Sequence, residues 1–265
     1  MNERKNDRRF DKRRIETPVE EVEGQLEGRN ALQEALRSGR TIDKVFIASG
    51  ETDRSLQKLA AEAKEAGAVV VPVDRRKLDA MSFTKAHQGV IALAAAHIYY
   101  TLDDILEEAA ERGENALIVI CDELTDPHNL GAIMRSAECA GAHGVIIPKR
   151  RSVGLTATVA KASAGAVEYM KVARVTNINQ AISQLKEKGV WIFGTAAEGS
   201  IPMYKADLTG PTAIVIGNEG DGMSPLVRKN CDVTVSIPMR GSISSLNASA
   251  AASILLYEAV RQRIG

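Results

Sequence analysis

Leu117-Ile118-Val119-Ile120-Cys121, followed by Asp126-Pro127-His128-Asn129-Leu130-Gly131 and then Ala132-Ile133-Met134-Arg135-Ser136-Ala137, passes from an apolar run through a polar loop into a helical pattern. Five consecutive apolar residues predict a strand buried on both faces. The polar cluster then lies at a strand's C-terminal end, where open α/β sheets bind ligands. Asn129 reads as the N-cap of the helix, with Arg135 six residues on, near two turns in. On these residues alone two accounts stay open: a capped helix with one solvated arginine, or a ligand site.

Outward from this unit the alternation repeats. Strands are predicted over 117–121, 144–148, 171–175, 191–195, 213–217 and 233–237, with helices over 130–140, 156–164, 177–188, 223–230 and 247–263. Near-continuous apolar strands separated by helices indicate an α/β fold with a parallel sheet covered on both faces. Upstream lies a smaller α/β unit. Its helices are expected over 28–38 and 53–66, stopping at Gly39 and Gly67, and its strands over 42–48, 68–73 and 89–95. Between the units, Thr101 and Asp104 suggest a capping box, and Ile105, Leu106 and Ala109 a short amphipathic helix. The expected division is a flexible tail over 1–21, a small domain over 22–97, a linker over 98–112 and a larger domain over 113–265.

The composition of the 265 residues, 45% hydrophobic and 26% charged, is that of a globular protein and excludes a fibrous or disordered chain. The longest apolar run, 89–96, falls far short of the roughly 20 residues that cross a bilayer. The first fourteen residues are charged throughout and carry no apolar signal core. Cys121, Cys139 and Cys231 are too few and too widely spaced for a disulfide framework or zinc finger, so a reducing cytoplasm is the expected setting. The four histidines show no metal-ligand spacing, and no metal is expected.

Net charge is zero, 34 bases against 34 acids, but residues 1–14 hold seven Lys/Arg and three acids. Residues 15–27 then carry five glutamates and no base. Such a basic tail suits an electrostatic contact with nucleic acid, or is a solvated terminus; the tail alone does not choose. Ten aromatics in the whole chain argue against a base-stacking platform.

Neither unit carries G-x-G-x-x-G after its first strand, and Walker A, H-E-x-x-H and G-x-S-x-G motifs are missing. Two other segments stand out. Ile214-Val215-Ile216-Gly217-Asn218-Glu219-Gly220-Asp221-Gly222-Met223-Ser224 runs from a strand into a loop with three glycines. A plain turn needs one, so close approach of a ligand is favoured. Ile237-Pro238-Met239-Arg240-Gly241-Ser242-Ile243-Ser244-Ser245-Leu246-Asn247-Ala248-Ser249 offers hydroxyls and free N–H groups before an Ala-rich helix, as an elaborate N-cap or a ligand loop. The small residues Ala248, Ala250, Ala251 and Ala252 imply close packing against another helix or a second subunit.

In this order the three segments resemble the SpoU (TrmH-like) family of SPOUT-class RNA 2′-O-ribose methyltransferases, over about residues 113–265. Glu27-Gly28-Arg29-Asn30-Ala31 and His87-Gln88-Gly89-Val90 are similar to the family's N-terminal RNA-binding domain, of the ribosomal protein L30e type. The layout is most similar to members that methylate a guanosine in the peptidyl-transferase loop of 23S rRNA. The resemblance implies a deep trefoil knot in the larger domain, an exception to the rule of unknotted connections. It also implies S-adenosyl-L-methionine (AdoMet) as cofactor, RNA as partner, and a homodimer whose site is completed across the interface. Carried over by motif, Thr195, Gly217, Asn218, Ile237, Met239 and Leu246 hold the cofactor, with Gly194 beside them. Asn129, Arg135, Glu219, Ser245 and Asn247 take the catalytic and substrate-orienting positions, Glu219 orienting Arg135 through an ion pair. The family's base corresponds to Arg135. An arginine stays protonated below about pH 12, so stabilising an alkoxide or fixing a phosphate is the alternative role. The other readings are a tRNA 2′-O-methyltransferase of the same family and a silent RNA-binding assembly factor.

Overall fold

A computed structural model describes residues 24–50, 53–95, 97–196 and 200–265. The basic run over 1–14 lies outside the described residues. The elements in chain order begin with β1 (Gln25–Glu27), α1 (Arg29–Arg37), β2 (Ile42–Ala48), α2 (Arg54–Glu65), β3 (Val69–Val73), α3 (Arg75–Met81) and β4 (Val90–Ala94). These build a four-stranded sheet of order β1-β4-β2-β3. β4 is antiparallel to β1 and β2, and β2 runs parallel to β3. Leu32, Val45, Leu56, Ala63 and Val90 form one buried core between the helices and the sheet. Asp53 and Asp74 cap α2 and α3 by accepting the N–H groups of Ser55 and Arg76.

One carboxylate braces this unit. Glu27 accepts from the hydroxyls of Ser82 (2.7 Å) and Thr84, from the N–H groups of Phe83 (2.8 Å) and Thr84 (3.1 Å), and from the Gln25 amide (2.7 Å). Partial burial alone would raise its pKa. The hydrogen bonds of Thr84, Ser82, Phe83 and Gln25 together outweigh that and hold it at about 2. The folded value lies below the ordinary one near 4.5, so this brace contributes fully above pH 4.5 and is lost as pH falls toward 2. Acid titration of unfolding stability is expected to show a drop across this window that is shallower in Glu27→Gln. An unchanged profile in the variant would remove the assignment.

The larger sheet follows: α4 (Leu102–Glu111), β5 (Leu117–Cys121), α5 (Pro127–Cys139), β6 (Gly144–Pro148), α6 (Ala157–Ala162), β7 (Val172–Val175), α7 (Ile178–Glu187), β8 (Trp191–Thr195), β9 (Ile201–Pro202), β10 (Thr212–Ile216), α8 (Pro225–Asn230), β11 (Val233–Ser236) and α9 (Ala248–Ile264). Its seven strands are all parallel, in the order β7-β6-β5-β10-β8-β11-β9. Side chains alternate across a strand, and here both faces are covered. Leu117, Val119 and Cys121 pack with Leu130, Ile133 and Leu255 from α5 and α9. Ile118 and Ile120 pack with Ile105, Ile182 and Leu185 from α4 and α7 on the other face.

The segment over 98–112 is built into this body. The Tyr100 N–H donates to the Val172 carbonyl (2.8 Å), Thr101 and Asp104 close the expected capping box, and Ile105 and Ala109 are buried. A Cβ at Gly144 would fall 2.5 Å from Ile105 Cδ1, so α4 rests directly on the β6 backbone.

The start of α5 differs from expectation. Asp126, not Asn129, is the N-cap, accepting the His128 N–H (2.9 Å), and Pro127 follows at the first helical position. Proline suits that place because its fixed φ is helical and no N–H is needed there. Asn129 is thereby released from capping and sits buried in the first turn. Three short elements, β1, α3 and β9, have no counterpart among the predicted ones. Runs of three, seven and two residues carry too little periodicity to register.

Candidate active site

All strands of the larger sheet end on one rim, and β10 lies beside β5 although far from it in sequence. That reversal of strand order is where open parallel sheets leave a crevice. Three segments converge on it: the first turn of α5, the loop after β10 and the N-cap of α9. Asn129 Nδ2 donates to Glu219 Oε1 (2.5 Å), and Asn247 Nδ2 donates to the same oxygen (2.7 Å) and to Asn129 Oδ1 (2.9 Å). Asn247 Oδ1 accepts from the N–H groups of Ser249 (2.9 Å) and Ala250 (3.4 Å), capping α9. Ser136 and Ser253 hydroxyls meet at 2.7 Å and tie α5 to α9, so the Ala-rich helix packs within its own chain.

Arg135 is exposed, and among the described residues it has neither hydrogen bond nor ion pair. The expected Glu219–Arg135 pair is therefore absent, and the amides of Asn129 and Asn247 stand in its place. Helical geometry gives the reason. Six residues at about 100° each put Arg135 some 120° round α5 from Asn129 and about 9 Å along it, on a different face.

A cleft of about 550 Å³ opens beside this network, lined by Thr195, Gly217, Asn218, Glu219, Ser245 and Leu246 among others. A hollow of about 360 Å³, sharing Thr195, Ser245 and Leu246 with it, adjoins and is lined also by Ile237, Met239 and Leu255. All six residues expected to hold the cofactor thus line one or the other of these adjoining spaces, and Ser245 lines both. Gly194 is not among the residues lining either space, and the place of its missing Cβ is filled by Cys231 Sγ (2.6 Å) and Met223 Cε (2.7 Å).

The glycine-rich loop needs its glycines for itself. A Cβ at Gly217 would lie 2.2 Å from Gly222 C and 2.3 Å from Met223 N, and Gly222 has φ +69°. Asn218 and Gly222 exchange backbone hydrogen bonds of 3.0 Å, and Asn218 Oδ1 accepts the Gly220 (2.6 Å) and Asp221 (3.2 Å) N–H groups. Only Gly220 is left for the ligand-approach reading of three glycines. Asp122 was not singled out in the sequence. It is buried after β5 and accepts the Ser224 N–H (2.7 Å), which locks this loop to the crevice. An acid directly after a buried strand was the available signal.

The space fits AdoMet. Its size is that of small-molecule sites. Over 239–246 no backbone N–H donates to another backbone group among the described residues, which leaves donors for a nucleoside. Ile237, Leu246 and Leu255 offer an apolar wall, while Glu219 and Asp221 bring negative charge toward a sulfonium and an amino group. No cluster of three His, Cys, Asp or Glu side chains suited to a metal occurs among the described residues, and no helix there is long and apolar enough to cross a membrane.

The profile of the SpoU rRNA Methylase family matches residues 116–257, which span the crevice and its three segments. The chain belongs to the SpoU methylases. A second profile, RNA 2′-O ribose methyltransferase substrate binding, matches residues 25–100, the smaller sheet. This SpoU methylase is 48% identical over 236 residues to the TrmH family tRNA/rRNA methyltransferase YacO of Bacillus subtilis, covering 89% of this chain and 94% of the relative. It is 45% identical over 240 residues to the 23S rRNA (guanosine-2′-O-)-methyltransferase RlmB of Ralstonia nicotianae, covering 90% and 95%. Among solved structures, the SpoU methyltransferase AviRb of Streptomyces viridochromogenes, in complex with AdoMet, superposes with a TM-score of 0.58 at 29% identity, covering 91% of this chain and 90% of that one. An AdoMet-bound rRNA methyltransferase of Sinorhizobium meliloti gives 0.57 at 26%, covering 89% and 86%. The chain is an AdoMet-dependent RNA methyltransferase of the SpoU/TrmH family, and RNA is its substrate.

Proposed function

We propose that the protein methylates the ribose 2′-hydroxyl of a guanosine in the peptidyl-transferase loop of 23S rRNA, acting in the cytoplasm as a homodimer. The observation that carries the site is the Asn129–Glu219–Asn247 network at the lip of the cleft, which joins three loops distant in sequence. The 45% identity to an RlmB supports the rRNA guanosine, and Met239, Ile243 and Leu246, exposed on one loop, support a second subunit there. The same reading includes a knotted C-terminal passage.

Bound AdoMet supplies a methyl group on a sulfonium, open to in-line attack by an oxygen. The protein's part is to align the ribose and stabilise charge as its hydroxyl loses a proton. Arg135, on a face of α5 away from the network, is the charged donor brought to that oxygen across the dimer interface, since an arginine side chain is no base. Asn129 and Asn247 fix Glu219 through one oxygen, leaving Oε2 to orient the ribose. Ser245 and the cofactor residues Thr195, Gly217, Asn218, Ile237, Met239 and Leu246 set the cofactor's position, and the smaller unit contributes RNA recognition.

The test is labelled methyl incorporation from AdoMet into 23S rRNA and tRNA transcripts, with mapping of the product. Label on a single rRNA guanosine in the peptidyl-transferase loop is expected. Label on tRNA alone would move the substrate assignment to tRNA, and no label on either would remove the catalytic reading.

A further inference from the structure

The loop 149–155, between β6 and α6, plays no part in the network described above. We propose that it is a track for the RNA phosphate backbone, carrying the substrate from the smaller unit to the cleft through Lys149, Arg150 and Arg151. The inference rests on the RNA methyltransferase reading and names a contact surface for it.

Placement comes first. The sheet is parallel, so the loop after β6 emerges on the same rim as the loops after β5 and β10, one strand along from the crevice. On its outer side it is fastened to the smaller unit. Arg174 on β7 pairs with Asp43 Oδ1 (2.5 Å) and donates to the carbonyls of Asp43 (3.1 Å) and Lys149 (3.5 Å). The Leu155 N–H donates to Tyr99 Oη (2.9 Å), and a Cβ at Gly154 would lie 2.4 Å from Asp43 Oδ2. On its inner side the loop is fastened to the segment that leads into Asn129. The Val153 N–H donates to the Leu124 carbonyl (2.9 Å), and Arg151 pairs with Glu123 (3.0 Å).

Conformation is the second observation. Arg151 (φ +54°) and Glu123 (φ +58°) both hold left-handed backbone conformations without being glycine. Such strain persists where the surroundings over-determine it, and it gathers at binding sites. Here the surroundings hold a guanidinium that is 78% exposed, next to the exposed Arg150. A chain with no net charge thus presents a fixed basic strip between its two units, on the side where the substrate must pass. Phosphates are what such a strip recognises. They reward charge and position without regard to base identity.

The experiment compares full-length wild type with Arg150→Ala/Arg151→Ala, both residues being exposed and outside the core. Binding of a 23S rRNA transcript is measured from low to moderate salt, together with AdoMet affinity. The double variant is expected to bind RNA roughly tenfold more weakly near physiological salt. The slope of log K against log salt should fall by about 1.4 to 1.8, or 0.7 to 0.9 per lost phosphate contact. AdoMet affinity should hold. Arg112→Ala/Lys188→Ala removes the same charge on the opposite rim and should leave the slope unchanged. An unchanged slope in the first variant, or an equal fall in the control, overturns the track. A wild type that methylates tRNA and not rRNA overturns the rRNA assignment alone; the slope is then read on tRNA with the same criteria.

Discussion

Replacing Arg135 with alanine is expected to reduce methyl transfer by about 10²–10³-fold while AdoMet affinity stays within about twofold. Two features of the side chain lead there. It is exposed, with no partner among the described residues to hold it for a structural purpose. Its removal therefore leaves no cavity and no orphaned charge, and a loss of activity would report on chemistry instead of folding. Arg135→Lys is expected to fail almost as badly, since an ammonium keeps the charge but not the planar two-pronged donor. Single-turnover rates with saturating AdoMet check both variants. Near-normal turnover in the lysine variant would show that charge alone suffices, and normal turnover in alanine would take Arg135 out of the mechanism.

The second large effect is on stability. Asp43→Ala is expected to lower the unfolding free energy by about 3–5 kcal/mol, because it leaves the Arg174 guanidinium buried without its counter-charge. The two side chains are only 8% and 7% exposed, and Arg174 Nε has no partner among the described residues. Burial pushes the Asp43 carboxyl up, and the Arg174 charge pulls against it. Burial and the Asp43 charge together raise the neighbouring Tyr99 hydroxyl well above its usual range. Replacing both partners with apolar residues, Asp43→Leu/Arg174→Met, should recover much of the loss, since no charge is then stranded. Urea denaturation of the three proteins measures this. A single variant as stable as wild type would mean that the pair contributes nothing across the seam.

The strands of the larger sheet were legible because burial on both faces writes them as unbroken apolar runs, as in 117–121 and 213–216. The start of α5 was misplaced because two good caps, Asp126 and Asn129, lie within four residues, and Pro127 decides between them. The residues of the network were named in advance only through likeness to a family. Asn129 is 90 residues from Glu219 and 118 from Asn247, and no spacing rule links positions that far apart. Their actual bonding, amides on Glu219 instead of Arg135, depended on which face of α5 each residue takes. That in turn depended on where the helix starts. The Asp43–Arg174 pair, 131 residues apart, left no mark at all, since a lone arginine in a strand reads as its solvent-facing position.

The seating of Ile105 on the bare backbone of Gly144 bears on how such proteins can be recombined. A hybrid enzyme joined at residue 113, where the second apolar series begins, would discard α4 and open a socket in the transferase that its new neighbour was never shaped to fill. A crossover just before Tyr99 keeps the socket closed, yet any incoming recognition module must then present an acid to Arg174. The interchangeable piece therefore stops with the smaller domain, near residue 97, while the linker over 98–112 travels with the transferase, and it carries one obligatory carboxylate as its key.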